Sequence, residues 1–225
     1  MMGEIFQNPR SAYLHIPFCH RRCFYCDFVV EPLGEMAHGE KGQGSEKIKS
    51  YLDFLRREIA IAPKGQPLST IYIGGGTPSL LSPDQLKNLI DHLREHFRFQ
   101  DGFELTLEID PASFNKTSLE GYLRAGVNRI SLGGQSFDDD VLIQLGRNHT
   151  SSELLEACSW IKDAFYQGDL LSWNLDLIQN LPGHNVINWK KQLQLAISTL
   201  APHLSIYDLS IEPGTLFESK YKKGQ

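Results

Sequence analysis

Two hydrophobic periods alternate along this chain. Short runs rich in β-branched and aromatic residues, at 11–15, 70–73, 104–108, 129–132, 172–177 and 203–209, have the length and composition of strands. Between them apolar residues recur at helical spacing: Ile48, Leu52, Leu55 and Ile59, then Leu86, Leu89, Ile90, Leu93 and Phe97, then Leu193, Ala196, Ile197 and Leu200. Two helix starts are also written in capping chemistry. Ser82, Pro83 and Gln85 supply an N-cap, a first-turn proline and a capping-box glutamine, and Thr150 with Glu153 repeats the box.

Six strands alternating with helices predict right-handed βαβ crossovers, hence an α/β fold built on a parallel sheet covered by helices. Such a sheet is either open and doubly wound or a partial barrel, and both architectures gather functional residues at the C-terminal strand ends. Residues 34–45 hold four glycines and are expected to form a flexible insertion within a single domain spanning 1–225. Residues 221–225 neither cap a helix nor complete a strand, so the end of the chain reads as a cut edge or a missing second region.

Composition narrows the class. With 41% hydrophobic and 22% charged residues the chain is expected to fold around a core. Its longest unbroken apolar stretch, 59–62, falls far short of the roughly 20 residues of a membrane span or the ~7 of a signal-peptide core, so a cytoplasmic protein without membrane insertion is expected. Twenty-seven acidic against 22 basic residues, and no Lys/Arg run longer than two, argue against a nucleic-acid partner.

Cysteine carries the chemistry. Three of the four cysteines, Cys19, Cys23 and Cys26, stand in a Cys-x3-Cys-x2-Cys spacing just after the first predicted strand. In a reduced compartment such a cluster reads as metal ligation rather than a disulfide frame. A 4Fe-4S cluster normally takes four thiolates, so a three-cysteine loop leaves one iron open to a small molecule. The alternatives are a structural zinc completed by His15 or His20, and a chance grouping of buried thiols. Phe18, Phe24, Tyr25 and Phe28 are placed to keep water from the centre, and Cys158 reads as a packed thiol outside the site.

Tyr13-Leu14-His15-Ile16-Pro17-Phe18-Cys19 and the cysteine loop together resemble the radical S-adenosylmethionine (SAM) superfamily. The wording is similar to the oxygen-independent coproporphyrinogen III oxidase group and its haem-chaperone branch. The resemblance implies a six-stranded partial (β/α) barrel of the radical SAM type, with the cluster and SAM at the mouth formed by the strand C-termini. In that superfamily the open iron binds SAM, and an electron from the cluster cleaves the sulfonium.

Other segments extend the resemblance, which runs from Tyr13 to about Thr215. Gly74-Gly75-Gly76-Thr77-Pro78 lacks the Gly-x4-Gly-Lys-Ser/Thr phosphate loop and the Gly-x-Gly-x2-Gly dinucleotide loop, but is similar to the family's glycine-rich SAM loop. By that likeness Gly75, Gly76 and Thr77 contact the amino end of SAM, and Glu108 is a further partner. Gln135, whose amide suits a ribose or carboxylate, Arg147 as a fork for the SAM carboxylate, and Asp176 on the ribose or adenine side complete the set. Tyr13 joins these expected cofactor contacts. No role is assigned to His15, His20 or His149.

Two departures separate the branches. Oxidases of the group carry another cysteine two residues beyond the third ligand, where this chain has Phe28, and a longer region before the loop. The resemblance therefore implies a haem chaperone, with haem or a porphyrin as cargo, a reductant protein and a haem-receiving protein as partners. Decarboxylation of a porphyrinogen, or an inactive truncated scaffold, is the alternative. Gly134 stands where the family has an aliphatic residue, Asn180 where it has glycine and His184 where it often has glutamine. The family's C-terminal region, with its His-containing haem motif, is missing before Gln225.

Overall fold

The structure, a computed structural model, describes residues 10–221. Six strands form one sheet: β1 (Ser11–Ile16), β2 (Leu68–Gly75), β3 (Phe99–Ile109), β4 (Arg129–Gln135), β5 (Ser172–Gln179) and β6 (His203–Asp208). They pair in parallel and in chain order, each strand beside the next. A doubly wound sheet reverses its order at a switch point; here no reversal occurs. Crossovers of one hand running in one direction lay the helices on one face of the sheet, so only that face has to be apolar.

The side chains follow. Leu14, Ile16, Ile71, Ile73, Leu105, Leu107, Ile130, Leu132, Trp173, Leu175 and Leu177 face the helices and are buried. Against them pack α1 (Ser45–Ile61) through Ile48, Leu52, Leu55 and Ile59, α2 (Pro83–His96) through Leu86, Leu89, Ile90 and Leu93, and α5 (Ser151–Gln167) through Leu154, Ala157, Cys158 and Ile161. Each such burial stabilises the fold by about 1.5–3 kcal/mol. The intervening strand residues are polar: Glu104, Thr106 and Glu108 on β3, Arg129 and Ser131 on β4, Asn174 and Asp176 on β5, His203 and Ser205 on β6.

Both expected capping boxes are formed, Ser82 with Gln85 and Thr150 with Glu153. Three helices went unmarked in the sequence pattern: α3 (Lys116–Ala125), α4 (Asp139–Leu145) and α7 (Leu216–Lys220). All are short, yet their caps were written: Asn115 and Gly126 bound α3, and Asp138 and Gly146 bound α4. The third strand is longer than expected, starting at Phe99, with its pairing to β2 irregular at Leu68–Thr70.

Helix α6 (Val186–Ser198) corrects one expectation. Its buried positions are Gln192 and Ala196, while Ile197 is exposed and Leu200 lies beyond the helix at φ 61°. Gln192 is buried because its Oε1 accepts from Phe137 N at 2.6 Å, holding the turn after β4. Residues 34–45 fold over the start of α2, where Glu40 accepts from Ser82 Oγ at 2.5 Å and Gln85 Nε2 donates to Gly39 O at 2.8 Å. Among residues 221–225 only Tyr221 is described; the rest of that expected cut edge, with the Lys222-Lys223 pair, lies outside the described residues.

Two of the three departures from the family pattern, Gly134 and Asn180, have local causes. A Cβ on Gly134 would stand 2.6 Å from Leu175 Cδ1 and 3.0 Å from Leu154 Cδ1, so these leucines fill the space of an aliphatic side chain. Asn180 sits at φ 58°, a left-handed conformation that asparagine tolerates better than most residues. Its Nδ2 donates to Asp208 Oδ1 at 2.7 Å, which ties the turn after β5 to the end of β6. Gly134→Val is expected to overpack the helix–sheet core and cost about 1–3 kcal/mol. Pairing it with Leu175→Ala is expected to recover part of that loss in urea unfolding, because the two side chains compete for one volume.

Candidate functional site

All the loops at the C-terminal strand ends meet around one cavity of about 410 Å³. The cysteine loop begins as β1 ends. Phe18–Cys19 forms a short parallel bridge with Glu31–Pro32, which closes the loop at its base. Gly76 N donates to Ile16 O at 2.8 Å and Thr77 N to Phe18 O at 2.7 Å, so the end of β2 is stitched along the start of the loop.

This stitching explains the glycines. A Cβ on Gly76 would lie 2.6 Å from both Cys19 Sγ and Phe18 O, and one on Gly75, at φ 125°, would lie 2.7 Å from Ile16 O. By likeness to the family's glycine-rich loop these glycines were expected to contact a ligand. The structure adds a different need, since here their missing side chains let two backbones approach each other.

Cys19, Cys23 and Cys26 all line the cavity, as free thiols. Burial pushes Cys19 up to about 11, opposed by a hydrogen bond from Thr77 and reinforced by the neighbouring cysteines; burial also raises Cys26. Metal binding at such thiols therefore releases protons. Among the described residues no three His, Cys, Asp or Glu side chains converge closely enough to hold a single metal ion. A 4Fe-4S cluster asks for something else, one thiolate at each of three separate corner irons.

The far side of the loop is anchored by apolar packing. Phe24 N donates to Leu145 O at 2.9 Å, Phe217 N to Phe24 O at 2.9 Å, and the Tyr25 and Phe217 rings lie 6.4 Å apart. Phe217, Val141, Leu145, Ile178 and Leu181 form a second core beneath them. Phe28 departs from the expected shield, because its ring is 61% exposed.

Arg147 follows α4 and reaches across the cavity wall. One guanidinium nitrogen is ion-paired with Asp110 and donates to Gly133 O at 2.8 Å, and the other donates to Cys23 Sγ at 3.5 Å. Burial alone would lower its pKa, but Asp110, Cys23 and Tyr25 outweigh that and hold it charged. Nε is buried without a partner. The fork expected to meet a ligand carboxylate is thus shared with a carboxylate of the chain. Asp110, to which the sequence analysis assigned no role, belongs to the site.

Glu108 accepts from Tyr72 Oη at 2.7 Å and from Gly75 N at 3.0 Å. Burial raises its pKa, and these two donors oppose the shift. Burial raises Asp176 in the same way, opposed by Ser205 and Ser131. Gln135 reaches the wall at φ 65°, just past a register shift in β4. Gly75, Gly76, Thr77, Glu108, Gln135, Arg147 and Asp176 therefore share one cavity with the three cysteines. Tyr13 does not; it is 60% exposed on β1, stacked on Tyr72 at 6.1 Å and bonded to His15 Nδ1 at 3.0 Å. Cys158 is buried in the helix–sheet core and its thiol is pushed up to about 12.

The geometry fits a cluster with a bound cationic ligand. Three thiols open on a cavity whose wall holds six carboxylate residues, Asp27, Glu108, Asp110, Asp176, Asp208 and Glu212, against three arginines. An excess of carboxylates suits a ligand bearing positive charge, and the volume lies within the ~300–1,000 Å³ of small-molecule sites.

Comparison with known proteins defines the class. The sequence model of the Radical SAM superfamily matches residues 13–195, and the chain belongs to that superfamily. Its structure is similar to the coproporphyrinogen III oxidase HemN of Escherichia coli, a radical SAM enzyme, with a TM-score of 0.81 at 28% identity over 95% of this chain and 47% of that one. More particularly, it is 38% identical to the heme chaperone HemW of Synechocystis over 96% of this chain and 51% of the relative. It is 39% identical to the heme chaperone HemW of Escherichia coli over 94% of this chain and 53% of the relative. The chain thus spans about half the length of the curated relatives it matches. No helix among the described residues is long and apolar enough to cross a membrane.

Two outcomes are expected. Gly76→Ala pushes a methyl group into Cys19 and the Phe18 backbone, so iron and sulfide retained per chain after anaerobic reconstitution should fall well below wild type, with a loss of about 1–3 kcal/mol in urea unfolding.

His149 supplies the second. It is buried, its Nε2 donates to Gly134 O at 3.1 Å, and burial with the nearby Arg147 charge pushes it down to about 4. The unfolded chain takes up this proton near pH 6.5, so stability is lost as pH falls from about 6.5 towards 4, by up to ~3 kcal/mol. In urea unfolding between pH 7 and pH 4.5, His149→Gln should flatten the slope by one proton.

Proposed function

We propose that the chain holds a 4Fe-4S cluster on Cys19, Cys23 and Cys26, binds SAM beside it, and serves haem trafficking as a HemW-like protein. The observation that carries the reading is the convergence of the three-cysteine loop, the Gly75–Thr77 strand end and the Glu108, Arg147 and Asp176 side chains on one cavity, in a chain of the Radical SAM superfamily.

When bound, the cluster and SAM supply one-electron chemistry at an open iron. The chain's own residues do the rest. Gly75 and Gly76 let β2 press the loop into place, and Thr77 fixes Cys19. Arg147 holds positive charge against Cys23, and Phe24, Tyr25 and Phe217 exclude water from the loop's far side. Glu108 and Asp176, held at the wall by donors from Tyr72, Gly75 and Ser131, present acceptors to the amino and hydroxyl groups of SAM.

The chaperone reading is favoured over porphyrinogen decarboxylation on two grounds. The curated relatives at 38–39% identity are named heme chaperones. Phe28 also stands where oxidases of the group carry a further cysteine.

Electron paramagnetic resonance of the anaerobically reconstituted, dithionite-reduced protein tests the cofactor reading. A 4Fe-4S signal that shifts on adding SAM is expected, together with loss of the cluster in Cys19→Ala, Cys23→Ala or Cys26→Ala. A signal indifferent to SAM removes the SAM site. For the cargo, a Soret shift on haem titration with no carbon dioxide release from coproporphyrinogen is expected; release of carbon dioxide would make the protein an oxidase instead.

A further inference from the structure

Asp176 reaches the cavity from a strand whose neighbouring residues, Leu175 and Leu177, face the core. Asn174, two residues earlier on the same face of β5, is 2% exposed and does not line the cavity. Its Oδ1 accepts from Arg129 Nη2 at 3.0 Å. Its Nδ2 donates to Asp176 Oδ1 at 2.7 Å, with Ser131 Oγ and Ser205 Oγ each at 3.0 Å. The amide orientation is thereby fixed, since a flip would set its NH2 against a guanidinium and its oxygen against a carboxylate. Ser131 Oγ donates to the other carboxylate oxygen, Oδ2, at 3.1 Å.

Behind the amide, Arg129 is itself secured. Nη1 donates to Thr106 Oγ1 at 3.3 Å and Nε lies 3.9 Å from Glu104 Oε2. A direct ion pair between Arg129 and Asp176 would draw the carboxylate towards the N-terminal strand ends, away from the cavity. A neutral amide between them passes on the hydrogen bond while leaving the carboxylate at the mouth.

We propose that Asn174 is a positioning residue, a neutral spacer between Arg129 and Asp176 that holds the Asp176 carboxylate at the cavity wall. Its consequence for SAM rests on the reading of Asp176 as a SAM contact; the effect on Asp176 itself does not. The charged and titratable groups that face this carboxylate are Arg129 on β4, Glu108 on β3, Tyr72 on β2, and His203 and Tyr207 on β6.

The test replaces the donor with an acceptor of the same shape, Asn174→Asp, and reads two quantities. In the ligand-free protein, carboxyl 13C titration should show Asp176 no longer titrating alone but as half of a coupled pair, with one midpoint moved up by about a unit or more. In the anaerobically reconstituted protein, calorimetric titration with SAM should show affinity at pH 8 reduced about tenfold or more, recovering towards pH 6 as the pair takes up one proton. In an Asp176→Asn background, Asn174→Asp should have no pH-dependent effect of this kind.

An unchanged Asp176 titration overturns the proposal, as does a loss of affinity that is the same at pH 6 and pH 8 or is additive with Asp176→Asn. If wild type binds no SAM, or Asp176→Asn binds it as wild type does, the SAM reading fails while the 13C result still decides the spacer. Should Asn174→Asp not fold, Arg129→Gln takes its place. It keeps the amide and removes the charge behind it, so the Asp176 midpoint should rise, and an unmoved midpoint overturns the proposal.

Discussion

The site depends on two backbones lying closer than side chains allow. The end of β2 runs against the start of the cysteine loop with Gly76 and Thr77 bonded to Ile16 and Phe18, and there is no room for a Cβ at either Gly75 or Gly76. The contact sets where Cys19 stands relative to the sheet. It also turns Gly75 N towards Glu108. One constraint thus places the first cysteine and the first carboxylate of the cavity, and Cys23 and Cys26 are then fixed by the loop's other attachments: Arg147 across the wall and Phe24 on the α4–α7 core. Loop residues are mobile unless their backbone groups are satisfied elsewhere, and here they are satisfied on both flanks.

The second organising fact is the asymmetry of the sheet. Strands in chain order put the helices on one face, so apolar residues are required only there and the other face is free to be polar. Freedom is not neutrality, because buried polar groups must still be paired. Thr106, Arg129, Ser131, Asn174 and Ser205 meet that demand by bonding to one another, and the chain of bonds ends at Asp176. Glu108 and Asp176 both carry raised pKa values through burial, and both have donors that keep the charged form accessible. A wall of restrained carboxylates accepts hydrogen bonds without first having to reorganise.

Much of this was legible in the residues. The period of two in Glu104, Thr106 and Glu108, the period of 3.6 in α2, and the capping boxes at Ser82 and Thr150 each reported a local rule that tertiary structure then respected. The cysteine spacing and the glycine run were visible for the same reason. What was hidden required knowledge of partners across the sheet. Nothing in Asp110-Pro111 announces that its carboxylate takes the guanidinium of Arg147, and nothing in Leu193–Ile197 spacing reveals that Gln192 is the buried member. Helical spacing alone misled there, because α6 lies at the free edge of the sheet, where fewer elements cover it. Tyr13 was equally illegible in placement, since its motif neighbours run on into the site while its own ring stacks on Tyr72, outside the lining.

The two sides of the cavity are built differently. On the β1 to β5 side, Cys23, Glu108, Arg147 and Asp176 are each held by bonds from another element. The wall beyond β6 is built differently: Tyr207 is 54% exposed, and Asp208, Leu209, Ser210 and Glu212 continue the lining on a strand with no described neighbour on its far side. A cavity of about 410 Å³ is near the lower end of small-molecule sites. Ile206 and Tyr207 expose apolar surface along the β6 edge, so the two sides of the cavity differ: bonded and buried towards β1–β5, exposed at β6.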